Sequence, residues 1–426
     1  MRRTFGIAVA VCALVGAAGI TGVSLADTRP AREATAATAA KPAATAANER
    51  PNARIGALES VTGQLVRRGK YVPTARTLTY HYPGASYVKL HFSRASLRPG
   101  DTVVVSDPTG TESYRYTAED LQADPWAMSI SGDTANVRLE QGSYDPLGLR
   151  TRLAGLGVDV DQVARGFREA TGDAAPEGPT QQRDRAESVC RGSDEKRDAI
   201  CYKAAHPVEY QKAKAVGRIL INGVELCTTW RIGPNNRLIT NNHCISSGSD
   251  VRRSEVWFNY ECARCDGYDV LRTTKVWGDQ LLATDRTLDY ALFTVRGFDS
   301  ISKFGYLEMD LGELHSGQEL YIPQHPRGLP TMIAMNDPGE RNGNCAVDDP
   351  TYYGYDEGTD VSYFCDTDGG SSGSPVLSST THKVVALHHF GGCPNSGVRL
   401  DLIYAKVKKL LKARGPATGP AAGPLR

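Results

Sequence analysis

Alternating apolar and polar residues mark the first structured segment of the chain. Apolar side chains occupy every second position of residues 88–92 and again of residues 126–130. A period of two predicts half-buried β-strands. Turn-forming pairs such as Pro83-Gly84 and Pro99-Gly100 separate these runs. The pattern therefore predicts a small antiparallel β-sandwich over residues 59–143.

A second β-rich segment begins near Cys190. Short apolar runs alternate there with Gly, Pro, Asn and Asp, as in GRILING, EVWFNY, YALFTV and KVVALHHF. This spacing predicts an all-β barrel or sandwich. Ile403, Val407 and Leu410 then fall on one face of a predicted C-terminal helix. We assign this unit to residues 189–413 and the Gly, Pro and Ala-rich remainder, 414–426, to a tail.

The segments between these units lack a clear apolar period. Residues 27–58 are rich in Ala and Thr, a composition that buries too little apolar surface to fold alone, and we predict a linker. Residues 144–188 are predicted as a second linker with one amphipathic helix near Val160–Ala170. Arg183 and Arg185 lie in its polar part, where proteolytic processing would be expected. A chain of 426 residues accommodates two folded units with such linkers.

The N-terminus has the pattern of an export signal. Arg2 and Arg3 precede an apolar run over residues 5–23, and Ser24-Leu25-Ala26 has the small-x-small form of a cleavage site. We predict a signal peptide over residues 1–26. An uncleaved anchor is the alternative, but the run is only weakly apolar and no other stretch is suited to span a bilayer. The protein is expected to be secreted and not to contact the membrane after cleavage.

Charge and cysteine content narrow the possible functions. Removing residues 1–26 leaves 47 Lys and Arg against 48 Asp and Glu. This balance lacks the excess of basic residues that predicts nucleic-acid binding. Of ten cysteines, Cys12 leaves with the signal peptide and nine lie between Cys190 and Cys393. Exported proteins with clustered cysteines form disulfides, and nine cannot all pair within one chain.

Two motifs with metal-like spacing do not predict a metal site. Cys262 and Cys265 have zinc-type spacing but lack a second such pair. His388 and His389 are adjacent on a predicted strand, so their side chains face opposite ways and cannot bind one ion. We predict neither a metal nor a cofactor.

A glycine-rich serine loop carries the strongest chemical signal. Residues 367–375 read TDGGSSGSP. A serine nucleophile needs exposure, a base and main-chain N–H groups directed at the oxyanion, and Gly370 and Gly373 allow the tight turn that presents them. A flexible surface loop is the alternative reading of this segment alone.

Two further segments supply candidate partners for the serine. The run LITNNHC ends a short strand at His243, next to Cys244, and a Cys227–Cys244 disulfide would fix that backbone as a general base requires. Asp289 begins the apolar strand YALFTV and could orient the histidine. Asp285 is the competing acid, but it lies in a polar turn. A core histidine and a solvated turn aspartate are the structural alternatives.

The order of these three residues is specific. From about Cys190 to Ala413 the chain resembles the chymotrypsin-fold serine peptidases, nearest to bacterial lysyl and glutamyl endopeptidases, which share a nucleophile loop close to GGSSGSPV. The resemblance implies an all-β fold with two barrels. It also implies that His243 is the general base, Asp289 its orienting carboxylate and Ser372 the nucleophile, with the N–H groups of Gly370 and Ser372 forming the oxyanion hole.

The same resemblance bears on the disulfides and on the N-terminal unit. It implies a Cys345–Cys365 disulfide, and it leaves open whether Cys190 or Cys201 bridges to Cys393 and which of them bridges to Cys262 or Cys265. Residues 87–110 resemble CUB-like β-sandwich modules.

The residues that match the specificity pocket point in opposite directions. Asp366 occupies the position at which trypsin-like enzymes bind Lys or Arg, whereas Thr367 and His388 match positions that hold a substrate carboxylate in glutamyl endopeptidases. A buried Asp366 charge would repel an acidic substrate side chain. We predict a preference for basic residues, with a glutamate-specific enzyme as one alternative. A mixed pocket from which Asp366 points away is another.

Ser371 raises two further questions. Residues 369–373 also fit the G-x-S-x-G elbow of α/β-hydrolases with Ser371 as nucleophile, but Asp401 follows the downstream histidines and the required order fails. Trypsin has an acid at this position that pairs with its new N-terminus on activation. Ser371 predicts an activity that does not depend on that ion pair.

Taken together, the motifs predict a secreted serine endopeptidase acting on protein or peptide substrates. An inactive peptidase-like scaffold, in which the N-terminal sandwich does the binding, is the alternative from another class. The sandwich itself is open to three interpretations: a removable pro-region, a module that anchors substrate, or a contact with a cell surface.

Overall fold

The computed structural model describes residues 53–66, 77–140, 157–167, 189–267 and 269–412. The predicted signal peptide and most of the first linker lie outside the described residues, as does the tail. Within these ranges, none of the helices has the length and apolarity needed to cross a bilayer.

The N-terminal unit is a two-sheet antiparallel sandwich. Its apolar strand faces, which include Leu90, Val105 and Val137, pack together in one core. The elements in this part of the chain are β1 (Ala53–Arg54), β2 (Gly56–Val66), β3 (Thr77–His81), β4 (Tyr87–Ser96), β5 (Thr102–Ser106), β6 (Ser113–Tyr116), α1 (Ala118–Ala123), β7 (Ile130–Ser131), β8 (Thr134–Glu140) and β9 (Gly157–Gly166). The two sheets of the sandwich have the orders β2-β9-β4-β7 and β3-β8-β5-β6.

Two predicted linker assignments are wrong. Residues 157–166, assigned to the second linker and in part to a helix, form β9, which lies between β2 and β4 in the sheet. Both neighbours pair with β9 through register shifts. Such bulges break the period of two, so that Val160, Val163 and Ala164 are buried at a spacing that imitates a helix. Residues 53–58, assigned to the first linker, contribute β1 and the start of β2.

The C-terminal unit contains two β-barrel halves and a final helix. The first sheet has the order β1-β12-β11-β14-β15-β16-β13, and the additional β12–β13 pairing closes it, while the second has the order β10-β18-β17-β20-β21-β22-β19. Its elements are β10 (Arg197–Asp198), α2 (Pro207–Ala213), β11 (Val216–Ile221), β12 (Glu225–Arg231), β13 (Leu238–Thr240), α3 (Gly248–Arg252), β14 (Ser254–Phe258), β15 (Thr274–Asp285), β16 (Tyr290–Val295), α4 (Phe298–Ser302), β17 (Leu320–Gln324), β18 (Met332–Ala334), β19 (Asp360–Tyr363), β20 (Pro375–Ser378), β21 (Val384–Phe390), β22 (Asn395–Arg399) and α5 (Leu400–Lys412).

The helix α5 packs on the second sheet. Ile403 and Val407 are buried, and Leu410 packs against the same core. This is the apolar face predicted from the sequence. The predicted all-β, two-barrel fold with a C-terminal helix is confirmed.

A buried charge cluster joins the sandwich to the first barrel. Glu255 on β14 is fully buried, and its carboxylate pairs with Lys89 of β4, accepts from Ser129 Oγ at 2.6 Å and accepts from Trp257 Nε1 at 3.0 Å. Lys275 Nζ of β15 donates to the Ser129 carbonyl at 2.8 Å. Buried charges cost several kcal/mol each unless they are paired. The cluster therefore specifies how the sandwich sits on the barrel.

We predict that Glu255→Gln lowers the free energy of unfolding by about 3 kcal/mol or more, because Lys89 then lies buried without its counter-charge. Urea unfolding of the full chain measures the change. Glu308→Gln is the matched control, since its ion pair with Lys383 is exposed and is worth less than about 1 kcal/mol. Equal losses in the two variants would contradict a role for the cluster in docking.

Candidate active site

His243 and Asp289 contact each other at two points. His243 Nδ1 lies 2.7 Å from Asp289 Oδ2, and the His243 main-chain N–H donates to Oδ1 at 2.9 Å. The imidazole is 16% exposed and the carboxylate 1%. Asp289 has a φ of 36°, and the Asn241 side-chain amide donates to its carbonyl at 2.9 Å. The short loop before β16 therefore holds both the position and the orientation of the carboxylate.

The Asp289 carboxylate stays ionised. Burial alone would raise its pKa, but His243 and His389 hold the pKa well below its usual range. An ionised partner keeps the hydrogen on Nδ1 and stabilises the imidazolium that forms when Nε2 takes a proton. The competing acid, Asp285, instead accepts from the N–H groups of Thr287 and Leu288 within its own turn.

The glycine-rich serine loop, residues 367–375, packs on the strands that lead to His243. The Ser372 carbonyl accepts from Thr228 N–H at 2.8 Å, one residue after Cys227 on β12. A Cβ at Gly373, where φ is 88°, would overlap the Thr228 carbonyl and Thr240 Oγ1. Thr240 ends β13, three residues before His243. Glycine at 373 thus permits Ser372, which is 7% exposed, to lie against this strand pair.

Two peptide planes in the loop are fixed by their carbonyl groups. The Gly369 carbonyl accepts from Arg327 N–H at 2.6 Å, and the Ser371 carbonyl accepts from Ser374 N–H at 2.9 Å. Because a trans peptide is planar, these bonds also orient the N–H groups of Gly370 and Ser372. They are the two donors predicted for the oxyanion hole.

Ser371 faces the interior. Its hydroxyl donates to Gln324 Oε1 at 2.5 Å and accepts from Asp368 N–H at 3.1 Å, and the residue is fully buried. These contacts contradict the hydrolase-type reading, in which Ser371 would be an exposed nucleophile.

The three residues predicted for the specificity pocket are all buried. Asp366 Oδ1 accepts from Cys190 N–H at 3.0 Å and Oδ2 accepts from Glu195 N–H at 2.8 Å. Burial raises the pKa of Asp366. Thr367 Oγ1 donates to Asn395 Oδ1 at 3.1 Å. The Asp366 carboxylate thus organises the main chain of residues 190–195.

His388 lies on β21 with no exposed surface. Its Nδ1 is 2.7 Å from the Tyr363 hydroxyl, and a main-chain group of Ser396 also interacts with the ring. Burial lowers the pKa of His388 to about 3, and the neighbouring His389 and His243 act in the same direction. The ring is therefore neutral and carries one N–H.

Sequence reasoning missed a second acid and a second histidine beside this site. His389 Nδ1 lies 3.1 Å from Asp289 Oδ2, and His389 Nε2 lies 2.6 Å from Asp360 Oδ2. The alternation of β21 implies that His389 faces away from His388, which was one available signal. Nothing in the local sequence marks Asp360, because it reaches His389 only through the pairing of β19 with β22.

Four disulfides staple the C-terminal unit: Cys190–Cys393, Cys201–Cys265, Cys227–Cys244 and Cys345–Cys365. Cys262 lies outside these four bonds, with its thiol beside Asp198. The sulfur atoms near His243 belong to the Cys227–Cys244 disulfide, so they are not thiolate ligands for a metal.

We predict that Gly373→Ala lowers the free energy of unfolding by about 3 kcal/mol or more, because a methyl group adds overlap with β12 and β13 to the cost of a positive φ. Gly305→Ala is the control: φ is 75° there, and nothing lies within 4 Å of the added carbon. Chemical denaturation should give a loss of about 1 kcal/mol for the control. Equal losses would show that the loop is not packed on these strands.

Comparison with known proteins gives matches over different parts of the chain. A model of the trypsin-like peptidase domain matches residues 227–387, a range that includes His243, Asp289 and Ser372. Among solved structures, a Glu endopeptidase in complex with MPD has a TM-score of 0.39 and 17% identity, covering 52% of this chain and 99% of its own.

Two proteins are similar in sequence. The uncharacterized protein y4fB of Sinorhizobium fredii is 32% identical over 177 residues, which are 38% of this chain and 25% of that protein. The secreted RxLR effector protein 73 of Plasmopara viticola is 33% identical over 331 residues, which are 74% of this chain and 77% of that protein. The chain therefore belongs to the same family as this effector protein and carries a trypsin-like peptidase domain with the two-barrel chymotrypsin fold.

Proposed function

We propose that the protein is a serine endopeptidase in which Ser372 is the nucleophile, His243 the general base and Asp289 the orienting carboxylate. The observation that supports this most directly is the two-point contact between His243 and Asp289. The packing of the serine loop on the strands that lead to His243 is the second support.

The proposed reaction proceeds through an acyl-enzyme. Ser372 Oγ attacks the scissile carbonyl carbon while His243 Nε2 takes its proton, and Nδ1–H remains bonded to Asp289. The N–H groups of Gly370 and Ser372 stabilise the oxyanion. His243 then gives the proton to the leaving amine, and a water molecule repeats the attack to release the acid and restore Ser372.

We propose that the enzyme is secreted and cuts protein or peptide substrates outside the cell. Export is supported by the apolar run at residues 5–23, by the four disulfides and by the similarity to a protein named as a secreted effector. The buried Glu255 cluster favours the interpretation that the sandwich stays docked on the barrel. It weighs against a removable pro-region. Such a docked, CUB-like module is suited to contact substrate or a cell surface.

An inactive scaffold is the second candidate function. The name of the relative describes an effector, and an effector can act by binding alone. Under this proposal the barrel would present surfaces and Ser372 would have no enhanced reactivity. The two candidates differ in a single measurable property of that serine.

We predict that a fluorescent organophosphonate labels the full secreted chain at Ser372. Ser372→Ala should abolish labelling and lower peptide hydrolysis on the order of 10⁵-fold, because the nucleophile is lost. Ser371→Ala is the matched control: its stability should fall because Gln324 loses a buried partner, yet the folded fraction should still be labelled. Mass spectrometry locates the adduct.

Absence of labelling in a folded chain from which residues 1–26 have been removed would favour the scaffold. Labelling that survives Ser372→Ala but disappears in Ser371→Ala would contradict the assignment of the nucleophile.

The pocket contacts favour cleavage after acidic residues over cleavage after basic ones. Each Asp366 oxygen already accepts a main-chain N–H, which weighs against the predicted role in binding Lys or Arg. His388 has a buried, neutral ring with one N–H that can donate to a carboxylate. We propose that glutamate is the preferred residue before the scissile bond.

A panel of fluorogenic peptides ending in Glu, Lys, Arg or Phe tests this preference. We predict that kcat/KM is highest for Glu and that His388→Gln lowers the Glu-to-Phe ratio about tenfold or more, because a hydrogen bond to a charged group is lost. Asp366→Asn is the control and should affect all four peptides alike. A preference for Lys or Arg that Asp366→Asn removes would overturn the proposal.

A further inference from the structure

His389 is enclosed by two buried carboxylates. Its Nδ1 lies 3.1 Å from Asp289 Oδ2, and its Nε2 lies 2.6 Å from Asp360 Oδ2. None of these three side chains is more than 1% exposed. His243 Nδ1 reaches the same Oδ2 of Asp289 at 2.7 Å. The four side chains form a continuous line from Asp360 to the imidazole of His243.

The geometry determines the charge of His389. A neutral imidazole has one N–H and one bare lone pair, so one of its nitrogens would face a carboxylate oxygen without a hydrogen between them. Two carboxylates at hydrogen-bond distance require two N–H donors. The ring is therefore an imidazolium, and it supplies the positive charge that two adjacent buried carboxylates need.

We infer that His389 is a positioning residue for the proposed peptidase reaction, acting as an imidazolium that Asp360 holds in place and that fixes the Asp289 carboxylate against His243. This inference rests on the proposed function. His389 does not itself touch the reacting atoms, because Asp289 lies between it and His243.

Ser396 and Gly354 position the Asp360 carboxylate. Ser396 Oγ donates to Asp360 Oδ2 at 2.6 Å. Gly354 leaves the necessary space, since a Cβ there would overlap Asp360 Oδ1. The pKa of His389 agrees with this arrangement: burial alone would lower it, but Asp360 and Asp289 raise it to about 9.

The titratable groups that face His389 come from several elements within the described residues. Asp289 belongs to the loop before β16, Asp360 to β19, and His243 follows β13. His388 is its neighbour on β21 and is neutral because burial lowers its pKa to about 3. The Tyr355 ring packs edge-on against His389, with 5.8 Å between centroids. His243 is therefore the one group in this set whose charge changes during the proposed reaction.

The fixed positive charge has a consequence for His243. His389 and His243 share one carboxylate oxygen, so the imidazolium of His389 opposes protonation of His243. Asp360, on the far side of His389, compensates only in part. A change in the charge at His389 should therefore be visible in the acidic limb of kcat/KM, which reports the free enzyme's base.

The test compares His389→Gln/Asp360→Asn with wild type. The paired substitution is close to isosteric and leaves no buried charge without its partner. We expect the acidic limb of the organophosphonate labelling rate to move up by about one pH unit, as for the loss of a partly screened charge. The rate on the plateau should fall about tenfold, because the carboxylate is less firmly held. His382→Gln, a half-buried histidine that contacts Tyr321, is the control and should change neither quantity.

A second measurement does not depend on activity or on folding of the variant. In wild type with ¹⁵N-labelled histidine, one ring should show two protonated nitrogens at pH 8, where exposed histidines are neutral, and should lose this signature as the pH rises through about 9. Absence of such a ring at pH 8 would overturn the inference. A double variant with the pH profile of His382→Gln would overturn it as well. Failure of wild type to react with the phosphonate would instead refute the proposed function.

Discussion

The candidate site depends on one buried carboxylate. Asp289 has 1% of its side chain exposed, and three donors meet it: the main-chain N–H of His243, the ring of His243 and the ring of His389. An unpaired charge at this depth would cost several kcal/mol or be neutralised by a proton. Because its partners hold the pKa well below the usual range, the carboxylate is available to orient an imidazole at neutral pH.

Buried charges are paired with opposite charges both at the candidate site and at the junction between the sandwich and the first barrel. At the site, an imidazolium between Asp289 and Asp360 compensates two carboxylates. At the domain junction, the ammonium groups of Lys89 and Lys275 surround Glu255. Both clusters are satisfied only when elements distant in the chain are in place. Arg218, stacked over Tyr87, Trp257 and Tyr260, adds a cation to the aromatic part of the same junction. These contacts make the sandwich and the first barrel one folded unit.

Much of the fold was predictable from local pattern. Strands with a regular period of two and the helix face of Ile403 and Val407 were readable because one side of each element is buried. The strand β9 was not, because bulges in its pairing shift the apolar positions. At the site, a loop such as GGSSGSP needs glycine at fixed positions, so the motif is visible in sequence. The contacts of the specificity pocket were harder to predict. Asp366 has the position of a substrate ligand, yet its oxygens accept from the N–H groups of Cys190 and Glu195, over 170 positions earlier in the chain.

The sequence by itself indicated most of the strands, the candidate serine loop and that Cys227 and Cys244 flank the histidine loop. These depend on short-range periodicity, turn chemistry and residue type. Only the tertiary structure decided what each buried polar group contacts: that Ser371 faces Gln324, that Asp360 reaches His389, and that Glu255 meets Lys89. Burial makes such pairings energetically decisive, but the partners lie on different strands and domains, and no local pattern encodes which two will meet.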